Sequence, residues 1–211
     1  ETYTGTRAGA NWEKFTDYAR QIFFANGIHH HYASTKILAE FPADYLGELL
    51  SKSAARSLPL NGRSLADFES FLRPIFFDPK VDAKCVDLSP GIDNVTASAG
   101  NFYQGVTQKE VEAYYDELRQ AATNPRLSFG LNTTVVKVEV KVTELPWKIG
   151  GKYGEAISQI VHWLEKAVTV AENAAQRETL QKLIAFYRTG NLNEFDDHCI
   201  AWVKDKDSRI D

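Results

Sequence analysis

The chain has 211 residues, of which 44% are hydrophobic and 25% charged, and its formal net charge at pH 7 is −4. This composition is typical of a soluble globular protein with a buried core. We expect no nucleic-acid partner, because no run of basic residues is interleaved with aromatic residues. We also expect no membrane partner, since no apolar run approaches the roughly 20 residues needed to cross a bilayer.

The start of the sequence bears on localisation. The first residues contain neither a basic segment nor an apolar core, so no signal peptide is visible. The first residue is Glu1, and the chain has no methionine, so we expect the natural N-terminus to lie upstream. The compartment of the whole protein therefore stays open, and the cytoplasm is favoured for the visible segment.

Three amphipathic helices are predicted in the first half of the chain. Apolar residues recur at helical spacing after Asn11, after Pro42 and after Ser64. A turn at Asn26-Gly27 separates the first two helices and is followed by three consecutive histidines. In an extended segment His29 and His31 would point to the same side. A metal site on this pair and a hydrogen-bonded polar loop are the two alternatives.

The middle of the chain contains a capping box and a strand. Residues 80–105 lack clear periodicity, apart from a short strand predicted around residues 85–88. Thr107-Gln-Lys-Glu110 predicts a helix start, because each end of this motif can bond the backbone of the other. Valines alternate with polar residues over 134–145, which predicts one strand with one buried face and one solvent-exposed face. Its partners are expected at residues 84–88 and 127–132, or outside this chain.

Residues 153–211 are predicted to form three further helices. Their one-sided apolar positions are Ile157, Ile160, Val161, Leu164 and Val168, then Leu180, Leu183, Ile184 and Tyr187, then Phe195, Cys199, Trp202 and Val203. Gly190 is expected to end the second helix in a left-handed conformation, and Asn193 to cap the third. The whole pattern predicts a single α+β domain over residues 1–211, predominantly helical, whose amphipathic helices pack with a small antiparallel sheet.

Several segments have an amino-acid sequence more specific than that of a generic helical bundle. They are Asn26-Gly-Ile-His-His-His-Tyr-Ala-Ser-Thr-Lys36, Trp147-Lys-Ile-Gly-Gly, Tyr153-Gly-Glu-Ala-Ile, Val161-x-Trp-Leu-Glu-Lys-Ala, Ile184-x-x-Tyr-x-Thr-Gly and Trp202-Val-Lys-Asp-Lys-Asp-Ser-Arg-Ile-Asp. Together they resemble the dipeptidyl peptidase III family of zinc metallopeptidases. In that family the matching helices immediately precede the zinc-binding part.

The resemblance implies a substrate-cleft lobe of a zinc exopeptidase that removes N-terminal dipeptides from oligopeptides. The family's His-Glu-x-x-x-His helix and the later Glu-rich helix are absent from these residues. We therefore expect no catalytic residue, no metal ligand and no cofactor in this segment. Zinc is expected in a missing catalytic lobe of the same chain, so this segment alone would not be an enzyme although its parent would be a hydrolase. The implied partners are an oligopeptide substrate and that missing lobe.

The resemblance also implies three substrate-binding residues. The family pattern of an aromatic, a small residue, a variable position and Thr-Lys is matched by Tyr32-Ala-Ser-Thr-Lys36, a segment that borders the peptide cleft. The family has Ser before the aromatic, where this chain has His31. In the family, Trp-x-x-Asp-Lys is followed by a carboxylate that holds the α-amino group of the substrate. That register ends here at Asp211, one methylene shorter than the usual Glu.

A second hypothesis comes from a different class of protein. The same amphipathic helices and aromatic residues would also suit a stand-alone helical interaction domain. No phosphate-binding glycine loop, nucleophile elbow or His-Glu-x-x-His motif is present to suggest another enzyme. The reading frame after Asp211 distinguishes the two hypotheses, because only the peptidase predicts a downstream His-Glu-x-x-x-His.

Overall fold

The computed structural model describes residues 2–210. The chain divides into two compact units, Glu1–Gly100 and Asn101–Asp211, called the first and second unit below. The single domain over residues 1–211 stays a prediction. The fold class is α+β and predominantly helical, as the sequence predicted. Within residues 2–210, no helix combines the length and the apolar character needed to span a bilayer.

The first unit is built from four helices and a short 3-10 turn. The helices are α1 (Ala10–Ala25), α2 (Ala43–Ser51), α3 (Leu65–Phe77) and α4 (Asn94–Ala97), and the turn is Ala55–Ser57. The predicted helix starts after Pro42 and Ser64 are confirmed. Ser64 caps α3 by accepting a hydrogen bond from Asp67 N–H, which satisfies a backbone donor that no helical carbonyl reaches.

Aromatic side chains dominate the core of the first unit. Phe41 is 2% exposed and lies in edge contact with Phe15, Tyr18, Tyr45 and Phe77. Rings packed edge to face combine large apolar burial with a favourable quadrupole arrangement. Residues of α1, α2 and α3 converge on this ring, so the three helices share one core.

The second unit combines a small sheet with four helices. Its elements are, in chain order, β1 (Tyr103–Gln104), α5 (Gln108–Ala121), β2 (Thr133–Val138), β3 (Lys141–Pro146), α6 (Gly154–Thr169), α7 (Ala174–Thr189) and α8 (Leu192–Lys204). The capping box at the start of α5 is confirmed, with Thr107 and Glu110 bonded to each other's backbone. Lys137 and then Thr107 hold the pKa of Glu110 at about 2 by hydrogen bonding its ionised form.

The sheet corrects three details of the sequence prediction. The single strand over residues 134–145 is wrong, because the chain turns at Glu139 and Val140 and β2 pairs with β3 as an antiparallel hairpin. Glu139 adopts a left-handed φ of 56°, a conformation that sequence alone rarely signals for glutamate. The other partner of β2 is β1, in parallel, so the sheet is mixed and neither segment 84–88 nor 127–132 supplies a strand.

The three C-terminal helices follow their predicted apolar spacing. Ile157 and Val161 of α6 meet Ile184 of α7 in a small apolar core. Gly190 ends α7 at a left-handed φ of 73°, as predicted. The predicted cap of α8 is wrong, since the N-cap is Asn191 rather than Asn193. Its side chain accepts from Asn193 N–H and leaves Leu192 as the first helical residue.

Candidate functional site

The first candidate site is a short hairpin in the first unit, formed by residues 29–36 and called the Tyr32 hairpin below. Its arms meet at an antiparallel bridge between His29 and Lys36. His30 N–H donates to the Thr35 carbonyl at 2.7 Å, and Ser34 N–H donates to the His30 carbonyl at 3.0 Å. Ser34 has a left-handed φ of 55°, which turns the chain back at the tip.

Tyr32 lies at the tip of this hairpin and is 90% exposed. Its ring contacts the His31 ring edge to face, with centroids 4.8 Å apart. The structure thus brings together two of the three predicted substrate-binding residues, and both are exposed. A free aromatic face with a hydroxyl at its end can pack on apolar groups of a ligand and also donate or accept a hydrogen bond.

The base of the Tyr32 hairpin is held by the ammonium group of Lys36. Its Nζ donates to the carbonyl oxygens of Val81 at 2.7 Å, Asp78 at 2.8 Å and Pro74 at 3.1 Å. An ammonium has three donors, and all three are used here. Burial lowers the pKa of Lys36, and the carboxylates of Asp82 and Asp78 oppose that effect.

His29 forms a second bond at the same base. Its Nε2 lies 2.8 Å from the Asp82 carbonyl oxygen, and because a carbonyl only accepts, Nε2 carries the hydrogen and donates. A protonated Nε2 is not a metal ligand. The residues from His31 to Ala33 form a turn, so the extended segment that would place His29 and His31 side by side is absent from this hairpin. This geometry supports the hydrogen-bonded polar loop over the metal site.

Zinc, which the family resemblance implies, can be tested against the side chains themselves. Across residues 2–210, no three His, Cys, Asp or Glu side chains are grouped closely enough to hold a metal ion. Cys85 and Cys199 are free thiols.

The second candidate site is an apolar groove in the second unit, called the C-terminal groove below. It has a volume of 660 Å³ and lies among α6, α7, α8 and the segment that follows α8. Apolar side chains, among them three leucines and Trp202, supply most of its wall, and Glu172, His198 and Asp205 are its ionisable members. His198 Nδ1 lies 3.0 Å from the Thr179 carbonyl oxygen, which places the Nδ1 hydrogen in that bond.

Side chains just before α7 and in its first turn hold the segment after α8 against the groove. Glu172 accepts hydrogen bonds from the backbone N–H groups of Arg209 and Ile210 at 3.1–3.2 Å. Gln176 Nε2 donates to the Ile210 carbonyl at 2.7 Å. The third predicted substrate-binding residue, Asp211, lies outside the described residues.

Sequence reasoning missed the side chains that hold both candidate sites. The resemblance included Thr35-Lys36 as part of a matched pattern, and this was the signal that could have singled out Lys36. Glu172 and Gln176 appeared only as a polar break between two helices. Their bonds join residues more than 30 positions apart, so no local pattern reveals them.

Comparisons with known proteins agree with the resemblance. A dipeptidyl peptidase III structure from Caldithrix abyssi is 15% identical, with a TM-score of 0.42; the match covers 98% of this chain and 35% of that one. The chain therefore spans about a third of the length of that relative. No curated protein matches the chain. The sequence model of peptidase family M49 matches residues 108–211. Over residues 108–211, the chain is therefore similar to peptidase family M49.

Proposed function

We propose that the chain is the non-catalytic, substrate-cleft lobe of a dipeptidyl peptidase III-like zinc exopeptidase, which removes N-terminal dipeptides from oligopeptides. The observation that carries the proposal is the match of residues 108–211 to peptidase family M49. The exposed Tyr32 on a braced hairpin adds a surface suited to an extended peptide. Oligopeptides are the proposed ligands of this lobe.

Each proposed substrate-binding residue has a role that follows from its chemistry. Tyr32 would pack its ring against a peptide side chain, with His31 beside it. Asp211 would hold the α-ammonium of the substrate, because a charge-assisted hydrogen bond distinguishes a free N-terminus from a peptide group within a chain. An enzyme that counts two residues from the N-terminus needs such an anchor.

The metal chemistry is assigned to a partner lobe of the same protein. A zinc ion bound there would activate the water that cleaves the second peptide bond. We assign no chemical step to residues 2–210. Their proposed contribution is to bind and orient the peptide beside that lobe.

Peptide binding to the full 211-residue chain tests the proposal. We would measure fluorescence anisotropy with a hexapeptide of alternating alanine and valine, labelled at its C-terminus, with either a free or an acetylated N-terminus. We expect the free form to bind about tenfold more tightly, a typical effect of a hydrogen bond to a charged group. Asp211→Asn should remove that preference, and Tyr32→Ala should weaken both forms.

Phe24→Ala is the matched control, because Phe24 is an exposed aromatic residue of the same unit that has no proposed role. It should bind like the unaltered chain. Equal affinity for the two peptides would contradict the proposed recognition of an N-terminus. That outcome, together with a reading frame that lacks His-Glu-x-x-x-His after Asp211, would favour the stand-alone interaction domain.

A further inference from the structure

Lys36 joins two segments of the first unit that lie far apart in sequence. Its three acceptors, Pro74, Asp78 and Val81, belong to the end of α3 and the loop after it. The last carbonyl groups of a helix lie at the negative end of the helix dipole, and the Pro74 carbonyl, which also accepts from Asp78 N–H, is one of them. A cation at this position is therefore stabilised both by hydrogen bonds and by the dipole.

The backbone of Lys36 binds the same loop as its side chain. Lys36 N–H donates to the Ala83 carbonyl at 3.0 Å, and Cys85 N–H donates to the Ser34 carbonyl at 2.9 Å. With the bond from His29 to Asp82, both arms of the Tyr32 hairpin are tied to the segment after α3. Among these bonds, only those of the Lys36 ammonium are made by a charged group.

The tip of the hairpin has little support of its own. Within residues 2–210, the Tyr32 side chain has no hydrogen bond, and the His31 ring is its aromatic neighbour. The direction in which Tyr32 projects is therefore set by the base of the hairpin. Three of the donors at that base belong to one nitrogen, Lys36 Nζ, so removal of that nitrogen takes a hydrogen bond from three carbonyl groups together.

We propose that Lys36 is a positioning residue that holds Tyr32 in its peptide-binding orientation by tethering the Tyr32 hairpin to the end of α3. The inference rests on the proposed function, in which Tyr32 contacts the peptide. It assigns Lys36 no contact with the substrate. The tether is an ammonium surrounded by three backbone carbonyls, so charge alone is insufficient and the geometry of a single nitrogen is required.

Amide hydrogen exchange tests the tether without reference to peptide binding. In Lys36→Met, we expect the amides of Ser34 and Cys85 to exchange about tenfold faster or more. These amides lie in the two segments that the hydrogen bonds of the charged Lys36 ammonium join, and those bonds are lost in the variant. Lys80→Met is the matched control, since Lys80 is an exposed lysine of the same segment. It should leave both amides unchanged. Equal exchange in Lys36→Met and Lys80→Met would overturn the inference and leave the proposed function intact.

Peptide binding tests the positioning role. With the labelled hexapeptide, Lys36→Met should weaken binding as much as Tyr32→Ala does. The double variant should bind no more weakly than either single variant, because the two changes remove one interaction. Additive losses would overturn the positioning role. If exchange accelerates in Lys36→Met but Tyr32→Ala leaves peptide binding unchanged, the proposed contact of Tyr32 fails and the positioning role fails with it, although the tether itself stands.

Chemical rescue separates the ammonium from the packing of its carbon chain. Lys36→Cys, made with Cys85→Ser and Cys199→Ser, would be alkylated with 2-bromoethylamine while unfolded and then refolded. The product carries an ammonium on a side chain of nearly the same length as lysine. We expect the alkylated protein to regain slow exchange at Ser34 and to bind the peptide with an affinity within about twofold of that of the unaltered chain. The reason is that hydrogen bonds from an ammonium group depend on the position of that group. Failure of a folded, alkylated protein to recover either property would overturn the inference.

Discussion

The two units bury different kinds of groups. In the described part of the chain, every buried residue of the first unit is aromatic or aliphatic, whereas the second unit also buries Asn132, Thr133, Thr134 and Thr179. Thr134 is 1% exposed, and its hydroxyl donates to the Asn101 carbonyl and accepts from Trp147 Nε1 and Lys152 Nζ. Its one donor and both acceptor positions are therefore occupied.

The comparison shows two ways to specify a core. A core of large rings depends mainly on the volume that they fill, so the first unit should respond most to a lost ring. Buried hydroxyl and amide groups are directional and costly when left without partners, so the second unit should respond to the loss of a single oxygen. The following predictions test this difference, from the largest expected effect to the smallest.

The largest effect is expected from Phe41→Ala in the first unit. Loss of this ring leaves a cavity among four other aromatic residues and should lower the free energy of unfolding by about 3–5 kcal/mol. Amide hydrogen exchange in α2 measures the loss. Phe24→Ala, at a residue 80% exposed, should change the same quantity by less than about 0.5 kcal/mol. Similar losses in the two variants would show that the aromatic cluster is not the core of this unit.

A smaller effect is expected from Thr134→Val in the second unit. Valine keeps the shape but leaves Trp147 Nε1 and the Asn101 carbonyl without their hydroxyl partner, at a cost of about 2 kcal/mol. Exchange of the β2 amides measures this loss. Thr169→Val is the control, because that exposed hydroxyl bonds only the local Lys166 carbonyl. If Thr134→Val were as stable as the unaltered chain, the polar core would not contribute as proposed.

The smallest effect is expected from two tyrosine substitutions that should differ in sign. The Tyr18 hydroxyl is buried without a hydrogen-bond partner among residues 2–210, and burial raises the pKa of Tyr18 to about 12. Tyr18→Phe should therefore stabilise the first unit by about 1 kcal/mol. Tyr115 instead donates to Glu144 Oε1 at 3.1 Å, so Tyr115→Phe should destabilise the second unit by a similar amount, about 1 kcal/mol. Urea denaturation of both variants measures the two changes. Changes of the same sign would remove the distinction between the units.

Local sequence patterns predicted most of the helical architecture. The starts of α3 and α5 follow from Ser64 and from the box of Thr107 and Glu110, because a cap bonds backbone groups within three residues of itself. The end of α7 at Gly190 follows from the freedom of glycine at positive φ. The turn at Glu139 had no such signal, and the alternation of valines continued through it.

For the candidate site, the sequence predicted residues, whose role stays a prediction, but not the bonds that hold them. Resemblance to a family was enough to select Tyr32 and His31, and the family match covers residues 108–211. By itself the sequence determined most of the helices, the caps of α3 and α5, and the resemblance to a family, since these depend on neighbours in the chain or on short motifs. Only the tertiary structure showed that Lys36 reaches three carbonyl groups 38 to 45 residues away and that Thr134 bonds three distant groups. Such contacts form between segments that folding brings together, and no periodicity in the sequence encodes them.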